Sequence, residues 1–159
     1  MQFSVGTNQG SATEDVTGTT NINIGDWQFV TAVFDAGNVK LYLNGILDGS
    51  GIMNTTSLSH VQNVPIYLGS VNGNNSFWNG HLDDISIWNT SLTQSEIQTY
   101  MSCPPTGNEA GLIGYWNFNE GTGGSITDQS INNNNGTIVN AYWTSQTPTQ
   151  YCNNCTATD

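Results

Sequence analysis

Apolar and polar side chains alternate most regularly within residues 26–49. Aliphatic residues occupy every second position of Val39–Leu43, the period of two expected of a strand with one buried face. The preceding run, Trp27–Phe34, is rich in β-branched and aromatic residues that suit a pleated surface. The turn residues Asp35–Asn38 separate these two runs, and Asn44–Gly45 supplies a strong hairpin signal. The pattern predicts a three-stranded antiparallel meander.

Other short apolar runs, separated by turns that contain Gly, Asn and Pro, predict additional strands. A single helix is predicted over residues 91–101, because Thr93 and Glu96 have capping-box spacing and the chain must leave helical geometry before Pro104. Short strands at turn-spaced intervals with one short helix indicate an all-β antiparallel β-sandwich. The additional strands are expected near residues 2–5, 21–24, 64–69, 77–88, 112–118 and 136–143.

The chain is acidic and contains few charged residues. Only 8% of its 159 residues are charged, against roughly 25% in a typical globular chain. Lys40 is the single basic residue opposite twelve acids, and the net charge is −11. This charge argues against nucleic acid and anionic membrane surfaces, which are bound through Lys and Arg. No apolar run approaches the ~20 residues of a membrane span, so membrane insertion is not expected. Cations are the natural partners, although an acidic surface can equally serve only solubility.

Three cysteines, Cys103, Cys152 and Cys155, permit one disulfide and one free thiol. Cys152 and Cys155 form a C-x-x-C, but neither the βαβ context of a redox motif nor a second ligand pair for zinc accompanies it. A structural disulfide is the preferred interpretation, and Cys103–Cys152 is the favoured pair. Such a bridge would close a long loop and contribute ~4 kcal/mol in the chain-entropy model. It indicates an oxidising, extracellular compartment.

Three stretches of residues 26–101 follow one another in an order that is specific to one family. They are DWQFVTAVFD…VKLYLNGILDG, then IYLG, then FWNGHLDDISIWNTSLTQSEI. Together they resemble the laminin G-like, pentraxin-like modules of the concanavalin A-type jelly roll, found in secreted and surface adhesin-type proteins of Bacteroidetes. The resemblance implies that the antiparallel β-sandwich is a laminin G-like jelly roll.

A second piece, GLIGYWNFNEGTGGSITDQSINNNNGTIVNAYW, resembles the opening segment of the same family, but here it follows the hairpins. Either it begins a tandem second module, or the module is permuted and residues 112–143 return to complete the same sandwich. We expect the permuted arrangement, with one module over residues 1–151 that is partial at its N-terminal side and a tail over residues 152–159. An incomplete sandwich exposes strand edges, which favour pairing with a second copy of the chain.

Acidic side chains form the candidate cation site. Asp83 shares strand parity with Ile85 and Ile87, so it is expected on the buried side, where a carboxylate needs a partner. Since the chain has one lysine, backbone N–H groups or Ca²⁺ are the alternatives. The resemblance implies a structural calcium ion, which related modules often carry, although no EF-hand-like ligand spacing is present. The candidate ligands are Asp83, Asp84, Glu120 and Asp128.

Catalytic chemistry lacks its usual residue patterns. The E-x-D-x-x-E strand of the glucanases that share this jelly roll does not occur. Asp83 and Asp84 are adjacent and point to opposite faces of a strand, so they do not suit an acid–nucleophile pair ~5–5.5 Å apart. His60 lies in a polar loop and His81 beside a glycine, and neither has the context of a catalytic nucleophile. We expect no enzyme activity and no catalytic residues.

Aromatic residues suggest carbohydrate recognition instead, because sugar faces stack on rings and neutral polar side chains bond hydroxyl groups. Trp78 in a turn rich in Gly and Asn is the best exposed candidate, together with Asn75, Tyr142 and Trp143. The alternative is that these rings belong to the core, which is expected for Trp27, Trp88 and Trp116.

The resulting expectation is a noncatalytic extracellular or cell-surface module that binds a glycan or another cell-surface ligand within a larger protein. One alternative is a structural spacer without a ligand. The other is an accessory module of a secreted polysaccharide hydrolase.

Overall fold

The computed structural model describes residues 2–6, 13–22, 25–58, 65–71, 73, 76–149 and 152. Within these residues the chain forms nine β-strands, all paired antiparallel, and one α-helix. The predicted all-β class with one short helix is confirmed. No helix in this described part is long and apolar enough to cross a membrane.

The chain divides into two compact units. The first unit comprises Met1–Leu58, Thr90–Pro104 and Thr149–Asp159, and the second comprises Ser59–Asn89 and Pro105–Pro148. The elements of the first unit are β1 (Gln2–Gly6), β2 (Thr13–Thr17), β3 (Val30–Asp35), β4 (Asn38–Leu43), β5 (Ile46–Ile52) and α1 (Gln94–Ser102). Those of the second unit are β6 (Ile85–Trp88), β7 (Leu112–Trp116), β8 (Ser125–Ile126) and β9 (Gly136–Thr137).

The predicted meander is confirmed as the sheet β3-β4-β5. Both of its turns have two consecutive residues with positive φ: Ala36 and Gly37 in the first, Asn44 and Gly45 in the second. This is the type I′ geometry that matches the twist of antiparallel strands. The ladder between β4 and β5 shifts register after Leu41, so that Asp48 has no cross-strand partner.

A pair of glycines in β5 makes room for the core of the first unit. Gly49 and Gly51 pair across the ladder with Leu41 and Val39, which are fully buried. A Cβ atom on Gly51 would lie 2.6 Å from Cγ2 of Val16 in β2. Strand β2 therefore packs closely on β5, and its valine joins the core. The core cluster is Val16, Val39, Leu41 and Met53, with Phe34 packed against it.

Helix α1 begins as the capping box predicts. Thr93 is the N-cap, and its side chain and that of Glu96 each bond the other's backbone N–H. The helix ends at Ser102 because Cys103 precedes a proline and takes an extended conformation. On its side, Gln94 and Gln98 both donate to the carbonyl oxygen of Gly45 at 3.0 Å.

In the second unit, β6 pairs with β7 and a loop covers the other edge of β7. The side chains of Asn132 and Asn134 donate to the carbonyl oxygen of Ile113, at 3.1 Å and 2.8 Å. The backbone N–H of Gln129 donates to the carbonyl oxygen of Tyr115 at 2.7 Å. The loop thus bonds strand groups that would otherwise be exposed. The β6–β7 pairing brings Leu112–Trp116 beside Ile85–Trp88; whether residues 112–143 complete one module stays a prediction.

Several predicted strands differ from the structure. Residues 65–69 form no strand, and the strand expected over 77–88 is limited to its last four residues. The strand expected over 136–143 has two residues, and β2 and β8 were not predicted. Residues 23, 24 and 64 lie outside the described residues. Pro65 stands at the start of the first of these runs, and Gly80 interrupts the second.

Candidate functional site

Trp78 presents an exposed indole ring that is held in place at several points. The side chain is 55% exposed. Its backbone N–H donates to the carbonyl oxygen of Gly69 at 2.8 Å, and its indole Nε1–H donates to the carbonyl oxygen of His81 at 3.2 Å. A Cβ atom on Gly80 would lie 2.9 Å from Nε1, so this glycine lets the ring rest against the backbone. The ring is therefore exposed and pre-oriented.

Other exposed apolar side chains accompany Trp78 in the same stretch of the second unit. Tyr67 lies against Gly73, where a Cβ atom would be 2.5 Å from the ring atom Cε1. A Cβ atom on Gly69 would lie 3.1 Å from Cδ1 of Leu82 and 3.8 Å from the Cβ atom of Trp78. We name the set of exposed residues the aromatic patch: Ile66, Tyr67, Val71, Phe77, Trp78 and Leu82.

The other predicted ligand-binding residues have different settings. Asn75 lies outside the described residues. Tyr142 is 89% exposed, and Trp143 is partly buried with its indole N–H donating to the carbonyl oxygen of Gly123 at 2.9 Å. No hydrogen bond joins Trp78 to Tyr142 or Trp143 in the described part of the chain. Sequence reasoning missed Tyr67, since its run was predicted as a strand.

The tryptophans expected in the core divide into three environments. Trp116 is buried, and its indole N–H donates to the carbonyl oxygen of Asn134 at 3.0 Å. Trp88 is partly buried and donates to the hydroxyl of Ser86 at 2.9 Å. Trp27 is 38% exposed, so its prediction as a core residue is wrong.

Asp83 and Asp84 form a partly buried pair of carboxylates before β6. Oδ1 of Asp83 accepts a hydrogen bond from the backbone N–H of Asp84 at 3.0 Å. Burial, followed by the charge of Asp84, raises the pKa of Asp83 to about 6. Burial also raises the pKa of Asp84, although the hydroxyl of Tyr115, which donates to it, opposes that shift. Both carboxylates therefore have an environment that penalises negative charge.

Asp128 is buried and accepts four hydrogen bonds. Oδ1 accepts from the backbone N–H groups of Tyr115 and Ser130, both at 2.9 Å. Oδ2 accepts from the backbone N–H of Asn134 and the hydroxyl of Ser130, both at 2.8 Å. Burial would raise the pKa of Asp128, but these donors together outweigh burial and lower it. Hydrogen bonds thus satisfy the Asp128 carboxylate without a calcium ion.

Glu120 fits a cation best among the four predicted ligands. Its Oε1 accepts from the backbone N–H of Thr127 at 2.7 Å, whereas its buried Oε2 has no hydrogen-bond partner among the described residues. A buried carboxylate oxygen without a donor is a position that a cation could satisfy. However, the described residues contain no group of three or more His, Cys, Asp or Glu side chains able to hold a metal. Calcium binding stays a prediction, and Glu120 is the residue that favours it.

The predicted Cys103–Cys152 disulfide is wrong. Cys152 is an exposed free cysteine, and its thiol donates to the carbonyl oxygen of Ser102 at 3.3 Å. This contact directs the sulfur atom to the end of α1. Cys155 lies outside the described residues, as does His60.

The fold has relatives among solved structures. A "putative carbohydrate binding protein" from Bacteroides ovatus is similar with a TM-score of 0.65 and 19% identity, over 80% of this chain and 38% of that one. An S-layer domain-containing protein from Clostridium thermocellum has a TM-score of 0.44 and 24% identity, over 64% of this chain and 51% of that one. The chain thus spans less than two thirds of either relative. No curated protein matches it.

A family model provides the assignment. The laminin G-like model of the concanavalin A-like lectin/glucanases superfamily matches residues 1–98, which is more than half of the chain. The match includes the meander and the aromatic patch. It confirms the resemblance that the hairpin and Asp-Asp motifs indicated, and with it the predicted jelly-roll class. The chain belongs to the concanavalin A-like lectin/glucanase superfamily.

Proposed function

We propose that this chain is a noncatalytic carbohydrate-binding module of an extracellular or cell-surface protein. The observation that carries the proposal is the exposed indole ring of Trp78, fixed by hydrogen bonds to Gly69 and His81. An aromatic ring that is already oriented loses little conformational entropy when a sugar face stacks on it. The similarity in fold to the "putative carbohydrate binding protein" from Bacteroides ovatus supports the same role.

The carboxylate pair supports a module without catalytic activity. Asp83 and Asp84 are sequence neighbours, and Asp83 accepts a hydrogen bond from the backbone N–H of Asp84. Asp84 accepts a further bond from Tyr115. A retaining glycosidase needs an acid and a nucleophile on opposite sides of one sugar bond. Two adjacent carboxylates, one of which is bonded to a buried tyrosine, are poorly arranged for that task.

The ligand is a glycan of a cell surface or matrix, with calcium as a structural ion that Glu120 would help to hold. Nucleic acid is not expected as a partner, because Lys40 is the only lysine or arginine. Membrane insertion is not expected, because no apolar run approaches the ~20 residues of a span. Exposed apolar residues on β5, Ile46 and Ile52, favour association with a second copy.

A glycan array tests the proposal. The wild-type chain is expected to bind at least one class of glycan, and Trp78→Ala is expected to lose that binding while retaining its melting temperature. Trp27→Ala serves as the matched control, because Trp27 is also exposed but belongs to the first unit, whereas Trp78 belongs to the second. Parallel arrays with calcium and with chelator show whether the ion takes part.

Three outcomes would contradict the proposal. Absence of binding to every glycan would favour the structural spacer. Equal loss of binding in Trp78→Ala and Trp27→Ala would remove the aromatic patch as the site. Release of reducing sugar from a bound polysaccharide would show catalysis and favour a hydrolase.

A further inference from the structure

We infer that the aromatic patch binds a neutral oligosaccharide chain along two rings, Tyr67 and Trp78, so that it recognises a run of sugar residues without acidic groups. This inference rests on the proposed carbohydrate-binding function and adds to it a second ring and a chemical class of glycan. It depends on three observations: the way each ring is seated, the spacing of the two rings, and the charges of the second unit.

Tyr67 is seated in the same manner as Trp78. Its side chain is 44% exposed, and its ring lies so close to Gly73 that a Cβ atom there would be 2.5 Å from Cε1 and 3.0 Å from Cδ1. Trp78 rests in the same way on Gly80, where a Cβ atom would lie 2.9 Å from Nε1 and 3.2 Å from Cε2 of the indole ring. Each exposed ring therefore leans on a glycine and keeps part of its surface accessible to a ligand.

The backbone positions that carry the two rings lie close enough for one oligosaccharide to reach both. Trp78 is joined to Gly69 by a backbone hydrogen bond of 2.8 Å, and Gly69 is two residues from Tyr67. Since two residues span at most ~7 Å, the Cα atoms of Tyr67 and Trp78 are within roughly 14 Å of each other. Ring stacking at both positions would select a chain over a single sugar residue.

Charge argues for a neutral chain. The only Lys or Arg of the sequence, Lys40, belongs to the first unit. The second unit therefore contains no lysine or arginine to bind a carboxylate or sulfate group. Acidic glycans would meet repulsion instead, because that unit carries five carboxylates and no opposing Lys or Arg. These carboxylates belong to Asp83, Asp84, Glu109, Glu120 and Asp128.

Calorimetric titration at pH 7.5 and low salt tests the inference. The neutral probes are disaccharides to hexasaccharides from β-glucan, xylan and mannan, and the acidic probes are oligogalacturonates and heparin fragments. The wild-type chain is expected to bind longer members of a neutral series more tightly and to leave the acidic probes unbound. Tyr67→Ala is expected to weaken binding of the longer members by about tenfold, the size of one aromatic contact.

Two variants accompany Tyr67→Ala. Tyr67→Phe keeps the ring and is expected to keep most of the affinity, which separates stacking from hydrogen bonding by the hydroxyl. Val139→Ala removes a highly exposed apolar side chain elsewhere in the second unit and is expected to bind as the wild type does.

The outcomes separate this inference from the proposed function. If Trp78→Ala abolishes binding while Tyr67→Ala leaves the affinity for long chains unchanged, the two-ring inference is overturned and the carbohydrate-binding module remains. Tight binding of the acidic probes would overturn the neutral class in the same way. If no probe binds the wild-type chain, both the inference and the proposed function fail.

Discussion

The hydroxyl of Tyr115 in β7 donates a hydrogen bond of 2.6 Å to Oδ1 of Asp84, the residue that leads into β6. Asp84 has a φ of 48°, a left-handed conformation that Asp adopts more readily than most residues. The tyrosine is buried, and its strand pairs with β6. The bond therefore secures the segment that runs from the aromatic patch into the sheet.

The acid pair before β6 predicts an unusual pH dependence. The folded-state pKa of Asp83, about 6, exceeds that of an unfolded aspartate, so the folded state binds more protons between roughly pH 4 and 6. The contribution of Asp83 to the free energy of unfolding must then increase as the pH falls through this window. We expect Asp83→Asn to raise the melting temperature at pH 7 and to reduce its increase on acidification. The control is Asp35→Asn at an exposed carboxylate, and an unchanged pH profile in Asp83→Asn would contradict this explanation.

Asp128 is predicted to be the main stabilising carboxylate of the second unit. Asp128→Ala leaves the N–H groups of Tyr115, Ser130 and Asn134 without their acceptor. Urea denaturation is expected to show a loss of about 3 kcal/mol, since bonds to charged groups contribute ~1.5–3 kcal/mol each and are not additive. Folding lowers the pKa of Asp128. The stabilisation is therefore present above the pKa that Asp128 has in the unfolded chain, and it disappears as the pH falls through its pKa in the folded state. A loss no larger than that of Asp35→Asn would show that the bonds contribute little.

The packing of β2 on β5 is tested by one added methyl group. A Cβ atom at Gly49 would lie 2.7 Å from the carbonyl oxygen of Thr17, a backbone atom that cannot move without displacing its strand. We expect Gly49→Ala to cost ~1–3 kcal/mol in the free energy of unfolding. Gly124→Ala is the matched control, because its Cβ atom would meet nothing within 4 Å. Equal stability of the two variants would be evidence against this packing.

Thiol chemistry distinguishes the cysteines. Cys152 is exposed and free, whereas Cys103 is disulfide-bonded. We therefore expect Cys155 to be the disulfide partner of Cys103. Ellman's reagent is expected to find one reactive thiol per native chain and none in Cys152→Ser. Peptide mapping under non-reducing conditions identifies the linked pair, and a Cys103–Cys152 peptide would contradict the structure.

Features that depend on neighbouring residues could be predicted from the sequence. The Asn44–Gly45 turn follows from the tolerance of both residues for positive φ, and the start of α1 follows from the reciprocal bonds of Thr93 and Glu96. These interactions are complete within a few residues. The order of the hairpin and Asp-Asp motifs was also sufficient to identify the family.

Features that depend on distant partners could not be predicted. Asp128 was a candidate metal ligand because its donor in β7, Tyr115, is thirteen residues away and no pattern marks it. Tyr67 was assigned to a strand because apolar content does not distinguish a buried run from an exposed patch. Trp78 was identified as exposed, but the contacts with Gly69 and Gly80 that fix its ring became visible only in the structure.

The central claim, that the exposed ring of Trp78 binds sugar, is tested most directly by the indole N–H resonances of the five tryptophans. In a ¹⁵N-labelled chain, the Trp78→Phe spectrum identifies the Trp78 signal. We predict that a bound neutral oligosaccharide shifts this signal in a saturable manner and leaves the signal of the buried Trp116 in place. Saturable binding with no change at the Trp78 signal would contradict the account.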